Sequence, residues 1–345
     1  MFTSGSGQIG RASGVPLRGG AAALAAAISI LASAGSAAQA KVITFAVDGS
    51  DETVAFGINA AGLITGGYSN PVLGFIRAAD GTVTTVNPEG STETYVMGID
   101  GNGVTVGYWW NDGLTHGFLR TPKGKIETFD PEGSVDTEAL RVNDKGAIAG
   151  SYADSNDIWH AFVREANGTL DAFDPEGSNG TKSLGINEAG TTCGYYTDGS
   201  DVYHAFIRAA DGAITTFQVS GSPTLAWGIN DSGTVTGSWI EGGTGLSHGY
   251  VRAADGTITR FDVVGANVST QPALINDKGT IGGSYLDSRD YRHGFERSAD
   301  GKIKLFDPPK SVETQVWGMN KEGAIVGWYW HGLHSKYTHA FLYTP

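Results

Sequence analysis

The chain has 345 residues, a formal net charge of −13 and a single cysteine, Cys193. So acidic a chain is a poor partner for nucleic acid or for an anionic membrane surface, and one cysteine excludes an intrachain disulfide framework. Glycine supplies 52 residues, about twice the usual share of ~7%, and an internal repeat accounts for most of that excess.

Residues 1–40 read as a secretory signal peptide: Arg11 and Arg18 precede an Ala-rich apolar run from Ala21 to Ala34, which ends in Ala38-Gln39-Ala40. Cleavage before Lys41 takes away two arginines and no acids, so the mature charge becomes −15. The apolar run is too short and too rich in alanine to span a bilayer, and no later stretch approaches the ~20 apolar residues that a span needs. The mature protein is expected to be soluble, exported to the periplasm or the medium, and monomeric.

From Lys41 onward one motif recurs seven times, with its Asn or a stand-in at Asn59, Asp100, Asn143, Asn187, Asn230, Asn276 and Asn320. A period in the low forties, with turn glycines and alternating strands, is the signature of a radial β repeat rather than a helical solenoid. Within a unit the first strand ends at Gly-Ile-Asn, as in Gly57-Ile58-Asn59. A tight hairpin such as Asn143-Asp144-Lys145-Gly146 follows, its Gly free to take positive φ. The second strand, Gly146 to Tyr152, alternates apolar and small residues at period two. A loop of variable length leads to the third strand, His160-Ala161-Phe162-Val163-Arg164, and a Gly-containing turn leads to the fourth. That strand carries a recurrent aromatic (Phe129, Phe173, Phe217, Phe261, Phe306) and in two units runs into Asp-Pro-Glu-Gly-Ser, where proline suits a strand end.

Four antiparallel strands in each of seven units predict an all-β, seven-bladed β-propeller over residues 41–345, a single domain. Lys41 to Phe56 aligns without a gap onto Lys302 to Trp317, so the chain opens with a fourth strand, while Trp317 to Tyr343 supplies strands one to three. The N-terminal strand is therefore expected to complete the last blade and remove the open sheet edges.

Residues present in every unit answer a need common to all of them. The aromatics nine positions after each motif Asn, from Tyr68 and Trp109 to Tyr329, are expected to pack between blades, and the strand-two glycines such as Gly150 to mark close approaches. Six histidines are in register (His116, His160, His204, His248, His293, His339), with Leu73 in the seventh place. Strands lie about 4.8 Å apart and zinc needs ligands at ~2.0–2.1 Å, so these histidines are too far apart to share one metal and are expected to hydrogen-bond structurally. The Asp pairs Asp154/Asp157, Asp198/Asp201 and Asp287/Asp290 read as turn stabilisers. Calcium is the one cation they could serve, although an EF-hand ligand pattern is absent; no other cofactor is implied. Cys193, before the strand glycine Gly194, reads as a buried inert thiol.

Binding residues concentrate where the copies differ, on the face that carries the loops between strands two and three. The longest of these, Trp330 to Thr338, holds His331 and His334, the two histidines that the repeat does not explain. Ring closure sets it beside the short first-unit loop Ser69-Asn70-Pro71-Val72, beyond which lies Trp110-Asn111-Asp112. The expected result is a notch between two aromatic loops, with Trp110, Asp112, Trp330, His331, His334 and Tyr337 as candidate ligand-binding residues suited to a sugar or similar polar ligand. Phosphate-binding Gly loops, a Gly-x-Ser-x-Gly elbow and Cys-pair metal spacings are absent, so no catalytic residue is assigned. Three readings follow: a non-enzymatic binding propeller for carbohydrate or a cell-surface or extracellular partner; a propeller-type polysaccharide lyase or hydrolase with its site in the last-blade loop; and a structural module of envelope assembly.

The strands containing His160-Ala161-Phe162, His204-Ala205-Phe206 and His339-Ala340-Phe341, preceded by Gly-Ile-Asn-x-x-Gly, resemble the HAF family of bacterial extracellular repeat proteins. The resemblance spans essentially the whole mature chain, with departures at Gly117, Gly249, Gly294, Tyr250 and the His-free first unit. It implies export and a propeller-like repeat, and it supplies no catalytic residues.

Overall fold

The computed structural model describes residues 40–264, 269–332 and 337–345, which form 28 β-strands and no helix. β1 is Lys41–Phe45. The next four strands are β2 (Thr53–Ile58), β3 (Ile64–Tyr68), β4 (Leu73–Arg77) and β5 (Val83–Val86), followed by β6 (Glu93–Ile99), β7 (Thr105–Asn111), β8 (Leu114–Arg120) and β9 (Ile126–Phe129). The third set is β10 (Ser134–Val142), β11 (Ile148–Asp154), β12 (Trp159–Arg164) and β13 (Leu170–Phe173); the fourth is β14 (Ser178–Ile186), β15 (Thr192–Asp198), β16 (Tyr203–Arg208) and β17 (Ile214–Phe217). Then come β18 (Thr224–Ile229), β19 (Val235–Ile240), β20 (Ser247–Arg252), β21 (Ile258–Phe261), β22 (Ser269–Ile275), β23 (Ile281–Leu286), β24 (Arg292–Arg297), β25 (Ile303–Phe306), β26 (Ser311–Met319), β27 (Ile325–His331) and β28 (Thr338–Thr344).

From β2 onward, consecutive strands pair antiparallel in runs of four. The last run has only three, β26 to β28, and β1 completes it in the register Lys41↔Thr344 through Phe45↔Ala340. Hydrogen bonding joins these runs into five sheets, because two sheets of eight strands each combine two runs through a single parallel pair, Asp136↔Thr115 and Ser247↔Ser269.

The third strand buries one large ring in every group: Phe75, Phe118, Phe162, Phe206, Tyr250, Phe295 and Phe341 are all fully buried. Tyr250, the one phenol, satisfies its hydroxyl by donating to the Leu225 carbonyl at 3.1 Å, as a buried polar atom must. The second-strand glycine is required by this ring and by the strand beside it. A Cβ on Gly150 would lie 2.1 Å from the Glu138 carbonyl oxygen and 2.6 Å from the Phe162 ring.

That close approach coincides with a β-bulge in the first strand of every group, between Ala139 and Arg141 in β10 and between Ala55 and Gly57 in β2, for example. A bulge re-aims one side chain. Here the bulged residues, among them Phe56, Met97, Leu140, Leu184 and Trp317, gather in one hydrophobic cluster drawn from several groups. First-strand residues of all seven groups also line a single cavity of about 170 Å³, which makes this the common axis of the repeat.

The motif Asn does two jobs. In Asn143 the side-chain oxygen accepts from Ala147 N at 2.9 Å and so caps its own hairpin, while Nδ2 donates to the carbonyl of Asn187, the corresponding residue of the next group, at 3.0 Å. The same inter-group bond runs from Asn187 to Asn230, from Asn230 to Asn276, from Asn59 to Asp100 and, across the whole chain, from Asn320 back to Asn59 at 3.1 Å. Asn276 reaches Lys321 O at 3.5 Å. Asp100 has no amide to donate, and Asn102 Nδ2 supplies the missing bond to Asp144 O at 2.9 Å.

Asn230→Asp keeps the shape but removes the donor to Asn276 O and places a charge at a buried site. Its expected cost is about 1–3 kcal/mol, read as a lowered denaturation midpoint. Asp100→Asn should do the opposite. Burial raises the Asp100 carboxyl above its ordinary value of 3.8, so its charged form destabilises the fold at neutral pH and this penalty fades as pH falls through the folded pKa. The Asn variant should therefore melt higher at pH 7, and its advantage should shrink toward pH 4.

Candidate functional site

Four of the six in-register histidines fulfil the hydrogen-bonding expectation through an aspartate 14 residues later, and His204, with Gln218 at that place, pairs through Nε2 with Asp198 at 2.9 Å instead. His116 Nδ1 lies 2.7 Å from Asp130, His160 2.6 Å from Asp174, His248 3.0 Å from Asp262 and His293 2.7 Å from Asp307. The carboxylate passes the link to the following group, since Thr314 Oγ1 donates to Asp307 at 2.6 Å and Thr181 Oγ1 to Asp174. The hydroxyl faces the carboxylate and not the imidazole, so the order Thr–Asp–His offers no base to the hydroxyl and is structural, unlike a catalytic triad.

The second-strand aromatic covers the other side of the imidazole. Trp109 stacks on His116 with centroids 4.7 Å apart, Tyr196 on His204 at 4.9 Å and Trp239 on His248 at 4.6 Å. The two are cross-strand neighbours, as in Tyr152↔His160, and the same aromatics also pack against the preceding group as expected, Trp239 in one cluster with Ala205 and Val219 and Tyr329 in one with Phe306.

The loop aspartates cap turns. Asp154 accepts from the backbone N–H of Ile158 and Asn156, which holds its carboxyl below the usual range, and Asp157 takes the left-handed conformation of the same turn, φ 62°. Asp198/Asp201 and Asp287/Asp290 repeat the arrangement. Among the described residues no cluster of three or more side chains could hold a metal ion. Cys193 is fully buried, and burial pushes its thiol up to about 12.

The last group breaks the pattern. Its fourth strand is β1, where Phe45 is followed by Ala46 instead of Asp, so His339 has no carboxylate at the usual place. It stacks on Tyr329 at 5.6 Å, with the exposed His331 edge-on at 6.2 Å. Burial, and then the neighbouring His331, lowers the His339 pKa.

The structure brings two of the expected aromatics to equivalent positions. Trp110 stands opposite Glu93 in its hairpin and Trp330 opposite Glu313. The first group lies between these two: Glu52 bridges to Thr338 of the last group, while Val72 O accepts from Thr94 N of the second group at 3.1 Å. At the corresponding place the first group carries only Ser69, whose backbone and hydroxyl bond to Glu52. Ser69 thus stands at the strand position that holds a tryptophan in each flanking group, with Glu52 at the position of Glu93 and Glu313. Burial raises the Glu313 carboxyl against the opposing charge of Arg292.

The two tryptophans differ in exposure. Trp330 is 43% exposed, with Nε1 donating to Thr338 Oγ1 at 3.1 Å. Trp110 is half-buried against the cluster of Phe56, Met97 and Tyr108. Strand alternation explains this, because Trp110 shares its face of β7 with the buried Tyr108. Asp112 sits exposed in the β7–β8 turn at φ 49°, and Tyr337 is 51% exposed. His334 lies outside the described residues.

One residue escaped the sequence reading. At the position before the Ile of Gly-Ile-Asn, five groups have glycine (Gly57, Gly98, Gly185, Gly228, Gly318), one has Leu274 and one has Arg141. The glycines are steric: a Cβ on Gly98 would sit 2.9 Å from Leu140 O, and one on Gly318 would sit 2.7 Å from Phe56 O. Arg141 is the single charged side chain lining the axial cavity. Comparing the seven copies at this strand position, and not only in the loops, would have found it.

No protein-family model and no curated protein matches the chain. Solved structures do. The chain is similar to virginiamycin B lyase from Staphylococcus aureus at 12% identity and a TM-score of 0.58, covering 88% of this chain and 99% of that one. It is also similar to the β-propeller domain of the trilobed protease from Pyrococcus furiosus (9% identity, TM-score 0.59, 84% and 95% covered) and to a TolB homologue from Agrobacterium tumefaciens (11% identity, TM-score 0.51, 76% and 94% covered). At these identities the likeness defines the fold, that of a β-propeller, and nothing about chemistry.

Asp307→Ala removes the acceptor shared by His293 and Thr314, and it should destabilise the protein by about 1–2 kcal/mol. His331→Ala, which closes no such link, should shift stability by less than about 0.5 kcal/mol. Chemical denaturation of the two variants side by side checks the distinction.

Proposed function

We propose that the chain is an exported, closed seven-bladed propeller of the HAF repeat type that binds carbohydrate, without catalysis, on the face carrying the loops between strands two and three. The observation that carries this reading is the placement of Trp110 and Trp330 at equivalent strand positions in the groups on either side of Ser69, opposite Glu93 and Glu313 in register. Indole faces stack on the C–H faces of sugars, and carboxylates accept hydrogen bonds from hydroxyl groups. Asp112 and Tyr337 stand at the exposed edges of the same two loops. The cycle of Asn bonds from Asn59 round to Asn320 and back, together with the β1–β28 pairing, supports ring closure.

A glycan array with the purified protein tests this. Binding to at least one class of oligosaccharide is expected, and Trp330→Ala should weaken it at least tenfold with little change in melting temperature. Trp110→Ala should weaken binding as well, but with a loss of stability because its ring is half-buried. The absence of binding to any glycan, or undiminished binding by both variants, would rule out the carbohydrate reading.

A second reading rests on the last group. The exposed His331 and the half-buried His339 form an imidazole pair found in no other group, and a neutral imidazole is a competent general base. A lyase or hydrolase acting on polysaccharide would use that pair, with His334 in the same loop. Turnover of polysaccharides that is lost in His331→Ala would favour it, and turnover unaffected by that change would exclude it.

A further inference from the structure

We infer that the axial cavity is a binding site for a small carboxylate with an apolar body, held by Arg141. The cavity measures about 170 Å³ and is lined by first-strand residues of every group. Its wall mixes exposed backbone polar groups with the side chains of Phe56, Met97, Leu184, Trp227 and Trp317, and Arg141 is the only charge among the lining residues. The guanidinium donates from Nη1 to its neighbour's carbonyl, Leu140 O, at 2.9 Å. No carboxylate pairs with it among the described residues, which leaves most of its five N–H donors for the cavity. Arg141 retains accessible surface, and the space it faces is this cavity.

A charge in such a place is costly. Burial lowers the guanidinium pKa below its ordinary value, but an arginine side chain remains protonated in proteins, so the charge cannot be shed as a buried lysine would shed it. An unpaired buried ion costs several kcal/mol relative to water, and a counter-ion with good hydrogen-bond geometry offsets that cost. Nor is the arginine there to fill space, because five of the seven groups place glycine at this position and the sixth alternative is Leu274. The planar fork suits a carboxylate, which it can grip with two parallel bonds, while the surrounding indole, phenyl and thioether groups suit an aliphatic or aromatic body. Beyond the Asn cycle, which follows the lining residues directly in sequence, stand Asp144, Glu188, Asp231 and Asp277, each already engaged in accepting a backbone N–H from the preceding group.

The site is distinct from the proposed sugar-binding face, so its test is independent. Isothermal titration of the purified protein with benzoate, butyrate, chloride and the neutral analogue benzamide is the measurement. Benzoate or butyrate should bind one to one and raise the melting temperature. Arg141→Gly, which restores what five groups already have, and Arg141→Leu, which copies the sixth group, should each fold and weaken that binding at least tenfold. Failure of every carboxylate to bind, equal binding by benzamide, or unchanged affinity in whichever of the two variants folds would overturn the assignment. Chloride binding as tightly as benzoate would overturn the requirement for an apolar body.

Discussion

The fold depends on a hydrogen bond from one side-chain amide to the backbone of the next group. Asn is the one residue whose short side chain can both accept from its own hairpin N–H and donate outward, and both bonds are made at buried sites where an unmade bond is costly. Each group alone is a four-stranded antiparallel sheet with two faces to bury. The Asn bond fixes where its neighbour sits, and the aromatic of the third strand and the bulge of the first then have something to pack against. Because the series returns from Asn320 to Asn59, every group is held on both sides, including the one assembled from the two ends of the described chain.

A second link, from imidazole through carboxylate to a threonine hydroxyl of the next first strand, works toward the outer strands on the loop-bearing side. The two links together account for most of what the repeat conserves between its copies within this one sequence. His-Ala-Phe supplies the imidazole and the buried ring, the aspartate after the fourth strand supplies the acceptor, and the second-strand glycine gives the ring room. What is left for ligand recognition is what these links do not use: the tryptophans of the groups flanking Ser69, His331 and His339, which pair with no carboxylate among the described residues, and Arg141.

Much of this is legible in the amino-acid sequence, because a need repeated seven times leaves seven copies of its signal. The four-strand reading, the pairing of the first strand with the last and the close-approach role of Gly150 and its equivalents all follow from period and turn chemistry, and the coordinates agree with them. The offset of 14 between His and Asp in four groups also stood in the sequence, but its meaning required the register Phe162↔Ala172 to bring strand three against strand four. Packing of the second-strand aromatics against the preceding group was legible from their recurrence, whereas their stacking on histidine was not, because periodicity gives the face of a strand without its neighbour. Trp110 was expected in the open, although alternation with the buried Tyr108 already placed it on an inward face. Arg141 was overlooked for a different reason: a strand position that is glycine five times looks architectural, and the exception carries the information.

The central claim is that ligand recognition lies where the seven groups differ, above Ser69 between Trp110 and Trp330. Diffraction from crystals soaked with short oligosaccharides tests it most directly. The account predicts a sugar ring stacked on Trp330, with its hydroxyl groups bonded to Glu313 or Glu52. A saccharide bound instead at the hairpin face around Asp144 and Glu188, where the copies are nearly alike, would contradict it.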